Sequence, residues 1–111
     1  MKLQILWTND NLDTIENMIV MYSVASIRNK FWEDVNVIIW GASAKLISEN
    51  LRVQTLVRYM IEEGVTVEAC KACADKYNAS QLIENLGVTV RYMGAPMTEY
   101  LKDENVKLLT I

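Results

Sequence analysis

The sequence predicts an α/β protein built on a mostly parallel sheet, and two observations carry that expectation. Short apolar, β-branched runs alternate with amphipathic segments from end to end of the 111 residues. Such alternation implies right-handed crossovers between parallel strands. In addition, the run V-N-V-I-I-W, Val35 to Trp40, is apolar on both alternating sets but for one Asn. A strand with that pattern needs cover on both faces, as strands of parallel sheets have.

The elements follow in order. Lys2 to Trp7 reads as a first strand ending at the turn and cap residues Thr8-Asn9-Asp10-Asn11. Asp10 or Asn11 caps a helix in which Ile15, Met18, Ile19 and Tyr22 recur at helical spacing. Val20, Met21 and Val24 widen its apolar face, which hints at a subunit interface. Val35 to Trp40 is the second strand, stopped by Gly41-Ala42-Ser43 and followed by a short helix from about Ala44 to Ser48. Leu51 to Glu63 is a longer helix with Val53, Leu56, Val57, Met60 and Ile61 on its buried face, closed by a left-handed Gly64. Val65 to Cys70 is the third strand, turning through C-K-A-C into a helix that ends at a left-handed Asn78. Ser80 caps the segment Gln81 to Leu86, which Gly87 stops. Val88 to Tyr92 is the fourth strand, ending at Met93-Gly94-Ala95-Pro96; Thr98 to Asp103 is a short helix and Val106 to Ile111 the last strand. No linker or repeat interrupts this order, so residues 1–111 are expected to form a single domain with one core.

Composition removes several function classes. Half the residues are hydrophobic (51%) against 23% charged, which is the balance of a folded globular protein. A net charge of −3 with singly scattered Lys and Arg leaves no basic footprint for nucleic acid. No apolar run spans a bilayer, so no membrane partner is expected. The opening M-K-L-Q-I-L-W-T-N-D is too short for a secretory apolar region and reads as a strand. A cytoplasmic location with reduced cysteines is therefore expected. Two thiols and no histidine do not complete a Cys/His zinc site, and no metal or other cofactor is expected. The absence of histidine also removes Ser-His-Asp and Cys-His nucleophile pairs. Glycines at 41, 64, 87 and 94 spell neither G-x-G-x-x-G nor a Walker loop. The acidic pairs Glu33-Asp34, Glu62-Glu63 and Asp103-Glu104 fall at element ends and read as solvated surface.

What remains is the stretch V-E-A-C-K-A-C-A-D-K-Y-N, Val67 to Asn78, with the only cysteines, Cys70 and Cys73. Cys70 stands where a strand gives way to a helix, near backbone N–H donors and a dipole that favours the thiolate. Buried packing is the competing reading of the same thiol, and the C-x-x-C spacing also suits dithiol redox chemistry. Ligands of open parallel sheets bind beyond the carboxyl ends of the strands. Those ends carry Trp7, Thr8 and Asn9; Trp40, Gly41 and Ser43; and Met93 and Gly94. Together with Cys70 they would line a small, mostly apolar pocket, although large strand residues such as the tryptophans are commonly core.

In order and spacing the chain resembles the DsrE-like family of small sulfur-relay proteins. The likeness rests on V-I-I-W-G-A-S (Val37 to Ser43), the helix end E-E-G-V, V-E-A-C-K-A-C-A-D-K-Y-N, L-I-E-N-L-G-V-T-V-R-Y-M-G-A (Leu82 to Ala95) and the closing V-K-L-L-T-I. It covers the chain from about residue 35 onward and, more loosely, the first strand and helix. The resemblance implies a three-layer α/β/α domain with a five-stranded, mainly parallel sheet, assembled as a homo-oligomer, trimer or hexamer. It further implies that Cys70, directly after the third strand, accepts sulfane sulfur as a persulfide and passes it between donor and acceptor proteins. Cys73 is then an accessory thiol. Asn78 departs from the glycine common at that helix end. Two other functions stand beside this one: a non-catalytic oligomeric module for a small ligand, and a dithiol redox protein using Cys70 and Cys73.

Overall fold

Along the central strands every second residue is apolar and fully buried, while its neighbours divide into a polar and an apolar half. Leu3, Ile5 and Trp7 of β1 (Lys2–Trp7), and Val35, Val37 and Ile39 of β2 (Asp34–Ile39), point into one large core. Val67 and Ala69 of β3 (Thr66–Cys70) join them. The computed structural model describes all 111 residues. β4 (Thr89–Arg91) and β5 (Val106–Thr110) complete a five-stranded sheet in the order β4-β3-β2-β1-β5, with every pairing parallel.

This order fixes the layers. From β1 to β4 the chain steps steadily toward one edge, so right-handed crossovers put all the intervening helices on one face. They are α1 (Leu12–Arg28), α2 (Ala42–Glu49), α3 (Leu51–Glu62), α4 (Lys71–Lys76) and α5 (Ser80–Asn85). The step from β4 back to β5 reverses direction, which places α6 (Gly94–Lys102) alone on the opposite face. The result is the three-layer α/β/α arrangement. The outer layer made by α6 is one helix wide, so part of that face stays uncovered.

Local chemistry accounts for most boundaries. Asn11 caps α1, its side chain accepting from the Thr14 N–H at 2.9 Å, and Asn50 caps α3 through the Val53 N–H at 3.0 Å. Gly64 (φ +101°) and Asn78 (φ +52°) take the left-handed conformation as their positions predict. Three expectations change. Ser80 does not cap α5; it is the first helical residue and its hydroxyl donates to Asp75. Gly94-Ala95-Pro96 is no loop but the first turn of α6, where the missing proline N–H has no intrahelical partner to lose. Finally, α1 is π-helical over Ile15–Val20. Ile15, Ile19, Val20 and Val24 are all buried, so the broad apolar face is largely taken up inside the chain. Met18 and Met21 are left exposed on it.

Candidate functional site

Adjacent strands whose onward connections leave toward opposite faces open a crevice at their carboxyl ends. In this sheet those strands are β3, which runs on into α4, and β4, which runs on into α6. Cys70 is the last residue of β3 and pairs with Arg91, the last residue of β4. The junction picked out by sequence is therefore the switch point of the fold.

Cys70 alternates with Ala69 and so points to the α6 face. There it packs with Ile38, Met93 and Met97, and with the half-buried Leu6, Trp40, Tyr100 and Leu108 around them. Its residue is 5% exposed. The N–H donors expected around this thiol do not converge on it: Cys70 occupies the N-cap of α4 without a side-chain capping bond, and α4 is six residues long. Cys73, one turn further on, is half-buried and touches both cores. Burial pushes its thiol above the usual range, the adjacent Cys70 thiol adds to that, and the Gly41 backbone beside it works in the opposite sense. Gly41 holds φ +72° and ψ −129°, a conformation open essentially to glycine, and that turn carries the chain from β2 into α2.

The other residues expected in the pocket divide. Trp40 and Met93 adjoin Cys70, Gly41 adjoins Cys73, and Gly94 opens α6 beside them. Trp7 does not: its ring is fully buried in the main core, with the indole N–H donating to the Asn9 carbonyl at 2.9 Å. Thr8 binds the Ile111 carbonyl and Asn9 receives the Asn11 N–H, so both fasten the end of β1 to β5 and α1. That end lies two strands, about 10 Å, from β3. Ser43 is a buried bracket, donating to the Trp7 carbonyl at 2.7 Å and accepting from the Trp40 N–H at 3.1 Å. It ties β1 to β2 and leaves no hydroxyl free for a ligand.

Two features were missed from sequence. At the rim of the crevice, Lys71 pairs with Asp75 at 2.8 Å and lies 5.8 Å from the Tyr92 ring, giving the mouth a cation and an exposed aromatic. On the uncovered part of the α6 face, a polar row crosses the sheet. The Asn36 amide donates to Gln4 at 2.6 Å and to Glu68 at 2.8 Å. Glu68 also receives the Tyr100 hydroxyl at 2.6 Å and the Arg91 guanidinium at 2.6 Å. Burial raises the Tyr100 hydroxyl above the ordinary tyrosine range, and its bond to the Glu68 carboxylate adds to the shift. A cavity of roughly 780 Å³ opens over this row. The signal was present: Gln4, Asn36 and Glu68 each interrupt an apolar strand, and Gln4 and Asn36 are register partners. No three Cys, Asp or Glu side chains come together as metal ligands, and no helix is long and apolar enough to cross a membrane.

No protein-family model matches the chain, and no curated protein matches it significantly. Two solved structures are similar. The YchN protein from E. coli is 20% identical over 100% of this chain and 99% of its own, with a TM-score of 0.70, a likeness of fold. A conserved protein of unknown function from Bacteroides thetaiotaomicron, BT1422, is 48% identical over 99% of this chain and 94% of its own, with a TM-score of 0.94. The chain shares the fold of YchN, and at 48% identity over nearly its whole length it belongs to the family of the Bacteroides thetaiotaomicron protein.

Proposed function

We propose that this protein is a small sulfur-relay protein that accepts sulfane sulfur as a persulfide on Cys70 and passes it to a partner. The observation that carries the reading is the position of Cys70: the thiol that ends β3 stands at the switch point of the sheet, walled by Met93, Met97 and Trp40. A thiolate there attacks the outer sulfur of a donor persulfide, the donor leaves as its own thiolate, and a partner thiolate later takes the sulfur in the same way. The soft, apolar walls shield the persulfide from water. The cover is also the part of the fold best able to lift. Four buried residues make the cluster beneath α6, against 23 in the main core, and local opening favours elements with few buried contacts. Lys71 at the rim attracts an anionic donor.

The relay works in a reducing, cytoplasmic setting as a homo-oligomer, trimer or hexamer, with protein donors and acceptors and without nucleic acid, membrane, metal or cofactor. The resemblance stated above supports the assembly, as do the exposed Met18 and Met21 on α1. The test is cyanolysis after loading with an alkyl persulfide, performed in Cys73→Ser protein so that one thiol acts alone. Thiocyanate release that disappears when Cys70 is also replaced by Ser supports the relay; no release from either protein contradicts it.

One observation favours a second reading, a binding module for a small polar molecule. The cavity of roughly 780 Å³ presents Glu68, Arg91, Gln4 and Asn36 from neighbouring strands. This reading requires an inert Cys70 together with ligand-induced thermal stabilisation that Arg91→Ala abolishes.

A further inference from the structure

We propose that Cys73 discharges the persulfide: when no partner collects the sulfur, Cys73 expels it as hydrosulfide and closes a disulfide to Cys70. The inference rests on the reading of Cys70 as the acceptor and adds a second fate for the sulfur held there. Three observations carry it. Cys73 lies one helical turn beyond Cys70, within the Cα separation that a disulfide spans. Its side chain packs into the same small cluster as Cys70, near enough for the Cys70 thiol to raise its own pKa. It is also the more exposed of the pair, so it meets solvent where Cys70 does not.

The step balances without an outside reactant. Cys73, held as the neutral thiol by burial, gives its proton to the terminal sulfur of the Cys70 persulfide anion. Its sulfur then attacks Cys70 Sγ, the bond between Sγ and the terminal sulfur breaks, and hydrosulfide leaves with that bond's electrons. The sulfane sulfur is reduced and the two cysteines are oxidised to a disulfide. A small dithiol then restores both thiols by exchange and is itself oxidised. The sulfur thus leaves as sulfane to a partner thiolate, or as hydrosulfide when none is present.

The experiment loads wild-type, Cys73→Ser and Cys73→Ala proteins with a stoichiometric alkyl persulfide, removes the excess, and follows intact mass and free hydrosulfide. Wild type is expected to lose its added sulfur, release an equal amount of hydrosulfide and end lighter than the reduced protein by two hydrogens. A small dithiol then returns the reduced mass, while both variants keep the added sulfur. Wild type retaining the sulfur as long as the variants overturns the discharge and leaves the relay standing. Uptake by none of the three overturns the relay and the discharge together.

Discussion

Glu68 and Cys70 share one face of β3, two residues apart, and divide that face between them: Glu68 ends a polar row open to a cavity, while Cys70 sits in an apolar cluster under α6. Both are buried, at 8% and 5% exposure. Tyr100 spans the boundary, its ring against the Cys70 cluster and its hydroxyl on Glu68. The thiol is thereby kept dry two residues along the strand from a fixed carboxylate.

That division makes Arg91 a stability residue. Its guanidinium is about half exposed, so solvent screens the pair and the cost of losing it is modest. Arg91→Ala is expected to lower unfolding stability by about 1–2 kcal/mol in urea, because the buried carboxylate loses a charged donor. An unchanged urea midpoint would show that the Asn36 and Tyr100 bonds hold Glu68 by themselves.

Cys73 should titrate late. Burial, its largest influence, raises the thiol above 9.0, so alkylation of Cys73 by iodoacetamide should climb with pH through a midpoint above that value. The sign carries over to stability: the folded chain holds this proton more tightly than the unfolded one. Its contribution is complete below the ordinary thiol pKa and is lost as pH rises through the folded value. A midpoint near 7 in Cys70→Ser protein, where Cys73 is the single thiol, would refute the burial argument.

Met97 belongs to the α6 cover that the proposed function requires to lift from Cys70. Met97→Ala removes a side chain that packs on Cys70, at a cost of about 2–5 kcal/mol if the site does not collapse. With roughly tenfold in an opening equilibrium for each 1.4 kcal/mol, Cys70 alkylation in Cys73→Ser protein should speed up by about tenfold or more. Equal rates with and without the substitution would mean that α6 does not limit access.

The proposed assembly has a surface test. Met21 is 59% exposed beside a groove of about 400 Å³ between α1 and α3 that includes Leu56 and Tyr59. Met21→Glu is expected to convert the oligomer to monomer by light scattering at micromolar concentration. A wild-type monomer would contradict the assembly outright, and an oligomer indifferent to Met21→Glu would move it to another face.

The sequence made the sheet and its strand-end thiols legible because their signals are local. Period-two apolar runs, Asn caps and a left-handed Gly64 each act within a few residues. Strand order is not local, and without it Trp7 and Trp40 look equivalent although they lie on opposite faces of the sheet. The expected N–H cradle at Cys70 failed for a related reason: a strand-to-helix junction fixes the backbone, whereas side-chain alternation along β3 aims the thiol at α6. The Gln4-Asn36-Glu68 row was written in the strands as polar interruptions, yet only the register reveals that they meet.

The most direct measurement is the peptide-level mass of Cys73→Ser protein after exposure to an alkyl persulfide and capping of free thiols. The account predicts one added sulfur on the peptide carrying Cys70, and none anywhere in Cys70→Ser,Cys73→Ser protein. A Cys70 peptide bearing only the cap, with no added sulfur at any persulfide concentration, would contradict it.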